Sequence, residues 1–254
     1  VDTRPVSAER VLVRAVPDEL VAPVRCSDDP LQSRAGKNLP RSDIGFWSVR
    51  PHDCSLSLVQ RDLSMIVVVS GLPRSGTSLM MQMQEAGGLP VLTDNKRKAD
   101  VHNPRGYYEY ETVKRLASDN TWLPEAEGTA VKIVSLLLYE LPDDLDYHVI
   151  FMRRRLAEVL RSQHRMLAAQ SMDGPDDDAM RQHFERHLTE LGQWAAVKQN
   201  IHWLDVDFQE VITTPSPISQ RISQFLGLQL DEQSMAASVH PLLHRQVVEH
   251  NNGP

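Results

Sequence analysis

The sequence predicts a three-layer α/β fold, in which helices cover both faces of a parallel central sheet. First, residues 65–69 are apolar and mostly β-branched, which is typical of a strand buried on both faces. Second, a turn from Gly71 to Gly76 separates this strand from a helical pattern. Third, strand-like and helix-like runs alternate along the chain, and such alternation requires crossovers that make neighbouring strands parallel.

The remaining elements follow in chain order. A helix is predicted from Thr77 to Ala86, because glycines at positions 87 and 88 end it. Strands are predicted at three later apolar runs, 130–134, 147–152 and 201–206. Helices are predicted at three amphipathic segments, 156–170, 176–200 and 217–225.

Residues 1–62 are predicted to form an irregular, Pro-rich extension that precedes a single domain at 63–254. Six of the sixteen prolines fall in this extension, and they recur too often for a helix of ordinary length. The apolar residues keep neither a helical nor a strand period for long. We therefore expect the extension to be at most partly ordered, and we assign it no function.

Composition narrows the class of protein. No run approaches the ~20 consecutive apolar residues of a membrane-spanning helix. The two cysteines are too few for a disulfide framework, which is consistent with a reducing compartment. The formal net charge of −7 argues against nucleic acid as a partner. We expect a cytoplasmic globular protein and leave its oligomeric state open.

The turn after the first strand has the properties of an anion-binding loop. Glycines let the backbone approach a ligand closely, and the start of the following helix presents unpaired N–H groups to it. The spacing of Gly71 and Gly76 matches the P-loop pattern G-x-x-x-x-G-K-[ST], but Thr77 replaces the lysine. A basic side chain, Arg74, lies inside the loop instead. We therefore predict a phosphate-binding loop in a P-loop-type fold.

The missing lysine favours a phosphorylated ligand other than a nucleoside triphosphate, and we expect no metal. In P-loop kinases that lysine contacts the β- and γ-phosphates, and an Asp after a second strand holds Mg²⁺. Here the strand at 147–152 leads into three arginines, and Asp205 is the alternative acidic residue. A kinase that uses Asp205, or a non-catalytic nucleotide-binding module, remains an alternative.

The segment Pro73-Arg74-Ser75-Gly76-Thr77-Ser78 resembles the 5′-phosphosulfate loop P-[KR]-[ST]-G-T-[ST] of sulfotransferases. These enzymes use 3′-phosphoadenosine 5′-phosphosulfate (PAPS) as sulfuryl donor. Their second motif pairs an Arg after a strand with a Ser eight residues later, and Arg154 and Ser162 have that spacing, with Arg153 as the alternative if the strand register is shifted by one residue. The resemblance extends over about residues 64–230. It implies donor binding by Arg74, Ser75, Gly76, Thr77, Ser78, Arg154 and Ser162.

The same resemblance implies roles in transfer. Arg74 takes the place of the cation that stabilises charge on the leaving phosphate, and it cannot donate a proton near neutral pH. The segment 102–111 resembles the N-P-x-G-[FYW]-[FYW]-E segment of bacterial members, and Glu109 occupies the position of its Glu. Glu109 is therefore the predicted base, with Glu111 and His102 as alternatives. The K-x-H motif of cytosolic members is incomplete, because its nearest equivalent begins at Lys132 and lacks the His.

These inferences predict an enzyme that transfers a sulfuryl group from PAPS to a hydroxyl or amine, leaving adenosine 3′,5′-bisphosphate. The acceptor is a small molecule, a glycan or a peptide, and the motifs do not distinguish among them. Two acidic or histidine-containing segments do not have metal-binding spacing. The acidic run 173–178 lacks the EF-hand pattern, and His183 and His187 lack the H-E-x-x-H frame.

Overall fold

A computed structural model describes residues 64–94, 96, 106–169 and 176–239 of the chain. The predicted extension, its boundary with the domain and the alternative base His102 lie outside these residues. The description begins with a seven-residue strand, β1, at Met65–Gly71. This strand covers the run that the sequence predicts, with two further residues leading into the loop.

Five parallel strands form the sheet, which confirms the predicted α/β fold with a parallel central sheet. The other four strands are β2 (Val91–Leu92), β3 (Ala130–Lys132), β4 (Asp146–Arg153) and β5 (Ile201–Asp207). Their order across the sheet is β2-β3-β1-β4-β5, and every pairing is parallel. The central strand β1 pairs with β3 on one side and β4 on the other. All three therefore end at the same edge of the sheet.

Helices lie on both faces of this sheet. They are α1 (Thr77–Ala86), α2 (Leu156–Ala169), α3 (Asp177–Val197), α4 (Phe208–Thr213), α5 (Pro215–Leu226) and α6 (Glu232–Ser238). Three short 3₁₀ helices occur at Glu111–Arg115, Leu123–Ala126 and Ser135–Glu140. Among the described residues, no helix has the length and apolar character needed to cross a membrane.

The alternation of β1 side chains divides the core. Val67 and Val69 pack on one face with α1, α4, α5 and α6. Ile66 and Val68 pack on the other face with the 3₁₀ helices and Leu191 of α3. A third apolar cluster joins α2 and α3 below the loop residue Leu72. Because both faces of β1 are covered, its residues read as a continuous apolar run rather than an alternating one.

Local signals explain where several helices begin and end. The Asp207 carboxylate accepts hydrogen bonds from the backbone N–H groups of Gln209 and Glu210, which caps the start of α4. Helix α5 begins with Pro215 and ends at Gly227, whose φ of 64° is the left-handed conformation that commonly terminates helices. A capping side chain thus fixes the α4 boundary, whereas proline and glycine mark the two ends of α5.

The sequence predicted the longer elements well but missed the short ones. The predicted strand at 130–134 ends earlier, at Lys132, and the predicted helix at 176–200 ends at Val197. Strand β2 and the helices α4 and α6 were not predicted. They contain two, six and seven residues respectively, so they carry less than two turns of periodic pattern.

Candidate functional site

The predicted anion-binding loop connects β1 to α1 at the edge where β1, β3 and β4 end. A hydrogen bond from the Ser75 backbone N–H to the Leu72 carbonyl oxygen (3.1 Å) closes the turn. Arg74 and Gly76 have φ values of 69° and 104°, so both residues adopt a left-handed backbone conformation. Gly76 makes no side-chain cap, and the first N–H groups of α1 therefore point towards this edge of the sheet.

Close contacts explain both glycines of the loop. A Cβ on Gly71 would lie 2.4 Å from Ser75 Oγ and 2.8 Å from the Met152 carbonyl oxygen. A Cβ on Gly76 would lie 2.4 Å from Cδ2 of the Phe208 ring. Met152 on β4 and Phe208 on α4 therefore pack directly against the loop backbone, and any side chain larger than that of glycine would clash with them.

The two predicted donor-binding motifs contact each other. The Nε atom of Arg74 donates a hydrogen bond to Ser162 Oγ over 2.9 Å. The Nη1 atom of Arg154 donates to the Arg74 carbonyl oxygen over 3.1 Å. These contacts join residues that are 88 and 80 positions apart in sequence. Two arginines and a serine hydroxyl thus meet beside the start of α1.

The Arg154 side chain is held from two directions. Its Nε atom donates to Glu158 Oε2 over 3.0 Å, and its guanidinium lies 4.2 Å from the centroid of the Phe208 ring. Phe208 therefore contacts both Gly76 and Arg154, which makes it a supporting residue of the site that the motifs did not identify. Its position directly after β5 was the available signal, because residues after neighbouring parallel strands gather at one edge.

The three hydroxyl-bearing residues of the loop have different environments. Ser75 Oγ is buried and has no hydrogen-bond partner among the described residues. Thr77 begins α1 and is half-buried. Ser78 Oγ donates to the Tyr107 carbonyl oxygen over 3.3 Å. Ser78 thus connects the loop to the segment that carries the predicted base.

The predicted base, Glu109, lies beside Lys132 at the end of β3. Its Oε1 atom is 3.8 Å from Lys132 Nζ, and the two side chains are 22% and 10% exposed. Lys132 Nζ also donates a hydrogen bond to the Tyr107 carbonyl oxygen. Val69, near the end of β1, pairs in register with Lys132, so this ion pair lies at the same edge as the loop.

Like Phe208, Lys132 lies at this edge of the sheet but was not among the site residues predicted from the sequence. The signal for it was its place at the end of a strand next to the loop strand. A lysine with a 10% exposed side chain needs a charged or polar partner, because burying an isolated ammonium group is costly. Glu109 and the Tyr107 carbonyl oxygen provide such partners.

Strand β2 and the residues after it anchor the segment that carries Glu109. The Glu109 carbonyl oxygen accepts hydrogen bonds from Thr93 Oγ1 (3.1 Å) and from the Asp94 backbone N–H (3.2 Å). The Asp94 carboxylate accepts a hydrogen bond from the Glu111 backbone N–H over 3.0 Å. Burial opposes ionisation of Asp94, but hydrogen bonds from the backbone N–H groups of Glu111 and Lys96, with the Lys96 charge, lower its pKa.

The other candidate residues lie apart from this arrangement. The Glu111 carboxylate pairs with Lys114 over 2.7 Å on its own 3₁₀ helix. Asp205 accepts hydrogen bonds from Arg153 Nε (2.7 Å) and Trp203 Nε1 (3.0 Å). Asp205 alternates with Val206 along β5, and Val206 packs on the α1 face, so Asp205 belongs to the opposite face.

Of the two histidines that the sequence places on α3, His187 belongs to the core rather than to this edge. His187 Nε2 lies 3.0 Å from Ser135 Oγ, and both residues are buried. Burial, together with nearby His183, lowers the pKa of His187. Within the described parts of the chain, no three His, Cys, Asp or Glu side chains are arranged to hold a metal ion.

Comparisons with known proteins give distant structural similarities. No family model and no curated protein matches the sequence. Similar solved structures include a sulfotransferase domain from the Synechococcus PCC 7002 olefin synthase, at 14% identity and a TM-score of 0.47. That match covers 75% of this chain and 90% of the other.

Two further solved structures are also 14% identical to this chain. Retinol dehydratase in complex with androsterone and inactive cofactor PAP has a TM-score of 0.38, with 70% of this chain and 64% of the other covered. A sugar kinase from Janibacter sp. HTCC2649 has a TM-score of 0.34, with 67% and 97% covered. At this distance the similarities do not assign a family, and function has to be argued from the site.

Proposed function

We propose that this protein is a PAPS-dependent sulfotransferase that acts on a hydroxyl or amine acceptor. The observation that carries the proposal is the contact between the two anion-binding motifs, through Arg74–Ser162 and Arg154–Arg74 hydrogen bonds. Each motif is suited to an anionic group, so a ligand that engages both should carry two such groups. PAPS has a 5′-phosphosulfate and a 3′-phosphate, which meets this requirement.

The residues present suit such a donor. Ser75 Oγ is a buried polar atom without a protein partner among the described residues, which is costly unless a ligand or water bonds to it. In this proposal the N–H groups of Gly76, Thr77 and Ser78, where α1 begins, bind the 5′-phosphosulfate of the donor. Arg154 and Ser162 are then the groups for the 3′-phosphate, because Arg forms paired hydrogen bonds with phosphate oxygens.

Three side chains of the protein have different roles in the proposed transfer reaction. The donor supplies a sulfuryl group on a phosphate, and transfer replaces its bond to the phosphate oxygen by a bond to the acceptor. Arg74 stabilises the negative charge left on that phosphate. Glu109 accepts the proton that the acceptor hydroxyl or amine loses. Lys132 orients Glu109 and adds positive charge on the acceptor side of the loop.

Calorimetry with adenosine 3′,5′-bisphosphate tests donor binding. Replacing Arg154→Ala removes charge-assisted hydrogen bonds of about 1.5–3 kcal/mol, so we expect Kd to rise roughly 10- to 100-fold. Arg186→Ala is the matched control, since Arg186 is an exposed arginine on α3. Its Kd should equal that of the unaltered protein. Failure of the unaltered protein to bind the bisphosphate would refute the proposal.

A second measurement separates an enzyme from a nucleotide-binding module. In a screen of phenols, alcohols and amines with sulfur-labelled PAPS, Glu109→Gln should lower transfer about 10²- to 10⁴-fold. The same variant should keep its affinity for the bisphosphate. Binding without transfer to any acceptor favours a module, whereas Mg²⁺-dependent ATP binding that Asp205→Asn abolishes favours a kinase.

A further inference from the structure

The short segment that carries Glu109 has an unusual backbone at Tyr108. Tyr108 has a φ of 52°, and Gly106 two residues earlier has a φ of 90°. Gly106 adopts its conformation without steric cost, but a left-handed conformation is unfavourable for a residue with a Cβ. A tyrosine at such a position requires a compensating interaction of its side chain, since glycine would fit the backbone better.

The Tyr108 side chain makes such an interaction with α1. Its hydroxyl donates a hydrogen bond to Glu85 Oε2 over 2.5 Å, and its ring packs against the apolar cluster around α1. A hydrogen bond to a carboxylate oxygen is stronger than one to a neutral acceptor, so it offsets part of the backbone cost. Glu85 lies in the last turn of the helix that begins at the anion-binding loop.

Hydrogen bonds fix the backbone on either side of Tyr108. The Tyr107 carbonyl oxygen accepts from Ser78 Oγ and Lys132 Nζ, and the Glu109 carbonyl oxygen accepts from Thr93 and Asp94. Tyr108 is the residue between these two anchored carbonyl groups, so its conformation contributes to the direction in which the Glu109 side chain leaves the backbone. In the observed conformation the Glu109 carboxylate lies 3.8 Å from Lys132 Nζ.

We infer that Tyr108 and Glu85 are positioning residues, whose hydrogen bond holds Glu109 beside Lys132 and in register with the anion-binding loop. Helix α1 carries the loop at its start and Glu85 near its end, so one rigid element connects the donor site to the base. The inference deepens the proposed function and rests on it for the role of Glu109. The inference requires the Glu109 carboxylate to lie close to the Lys132 amine, and this distance can be tested without a donor or an acceptor.

Zero-length cross-linking with a carbodiimide measures this closeness. The reagent joins a carboxylate to an adjacent amine as an amide, and peptide mass spectrometry quantifies the Glu109–Lys132 product. The Glu111–Lys114 pair, 2.7 Å apart on its own 3₁₀ helix, is the internal reference. We expect Tyr108→Phe to lower the Glu109–Lys132 yield at least threefold relative to this reference, and to lower the thermal midpoint by only a few degrees, so that the domain stays folded during the reaction.

Two variants sharpen the test. Tyr110→Phe is the matched control, because Tyr110 contacts Trp122 through its ring and its hydroxyl has no partner among the described residues. Its yield should equal that of the unaltered protein. Glu85→Ala should lower the yield as Tyr108→Phe does, and the double variant should lower it no further. An unchanged yield in Tyr108→Phe would overturn the inference.

Binding and transfer measurements distinguish this inference from the proposed function. Tyr108→Phe should bind adenosine 3′,5′-bisphosphate with unchanged Kd, while kcat for any acceptor found falls about tenfold at constant donor KM. A fall in donor affinity instead would overturn the positioning role, because it would show damage to the loop. If the unaltered protein binds no bisphosphate, the proposed function fails, yet the cross-linking yields still decide whether Tyr108 holds Glu109.

Discussion

At the scale of single residues, Gly76 is a position where the loop tolerates little change. Its φ of 104° disfavours any side chain, and a Cβ would lie 2.4 Å from the Phe208 ring. We expect Gly76→Ala to lower the free energy of unfolding by about 2–4 kcal/mol, because backbone cost and overpacking add. Denaturant unfolding measures this loss.

Gly88 provides the control for this prediction. It has a φ of 88° but no atom within 4 Å of a Cβ at that position. Gly88→Ala should therefore show only the backbone part, about 1–2 kcal/mol. Equal losses at the two glycines would mean that the Phe208 contact is unimportant.

Single residues also mark the limit of what could be predicted for the site. Arg74, Arg154 and Ser162 were predicted because their spacing along the chain matches a known motif, and the structure places them in contact. Phe208 and Tyr108 were not predicted, since their contacts with Gly76 and Glu85 depend on how distant segments pack. The spacing of a motif can be seen in the sequence, whereas contacts between distant segments at the sheet edge become visible only in the folded structure.

At the scale of secondary-structure elements, a histidine pair connects β4, β5 and α5. The rings of His148 and His202 face each other across the two strands at 4.6 Å between centroids, and Phe225 of α5 lies 5.3 Å from His148. Burial, and then the charge of His202, lower the pKa of His148 below its usual 6.5, although Asp146 and a Phe225 backbone hydrogen bond oppose this.

This histidine predicts acid sensitivity. The folded state binds the His148 proton less readily than the unfolded state does, so its full contribution to stability is present above about pH 6.5. The contribution falls as the pH drops below that value, towards the lowered folded-state pKa. We expect the free energy of unfolding to decrease between about pH 7 and pH 5, and His148→Gln to reduce the slope. An identical slope in the variant would contradict the assignment.

Element length decided which parts of the fold were predictable. Strands β1, β4 and β5 and helices α1, α2, α3 and α5 have enough residues for their apolar pattern to show. Strand β2 has two residues, and its place at the sheet edge comes from pairing with β3. Such pairing is a tertiary contact, so the local sequence pattern does not predict it.

At the scale of the whole molecule, charge is distributed unevenly. The chain has a formal net charge of −7, yet residues 153–165 contain five arginines and a single acid, Glu158. Three of these arginines, at positions 155, 161 and 165, are exposed. A local positive field within an acidic molecule attracts a multiply charged anion while the remaining surface repels polyanions.

This field predicts salt-dependent binding. Raising the ionic strength from about 0.1 M to about 1 M shortens the screening length from ~10 Å to ~3 Å. We expect the Kd for adenosine 3′,5′-bisphosphate to rise about tenfold over that range. The triple variant Arg155→Ala/Arg161→Ala/Arg165→Ala should show a smaller rise, as isothermal titration would detect. An equal rise would assign the salt effect to Arg74 and Arg154 alone.

The hydrogen bond from Arg154 to the loop has a consequence for how the protein is made. A nascent chain that has been synthesised only to Ser78 contains the complete loop sequence, but it does not yet contain the residues that contact the loop in the folded domain. Strand β4 and the first two turns of α2 must follow before Arg154 and Ser162 arrive. The proposed anion site is therefore complete only late in synthesis, so its ligand is expected to stabilise the finished domain and not its early intermediates.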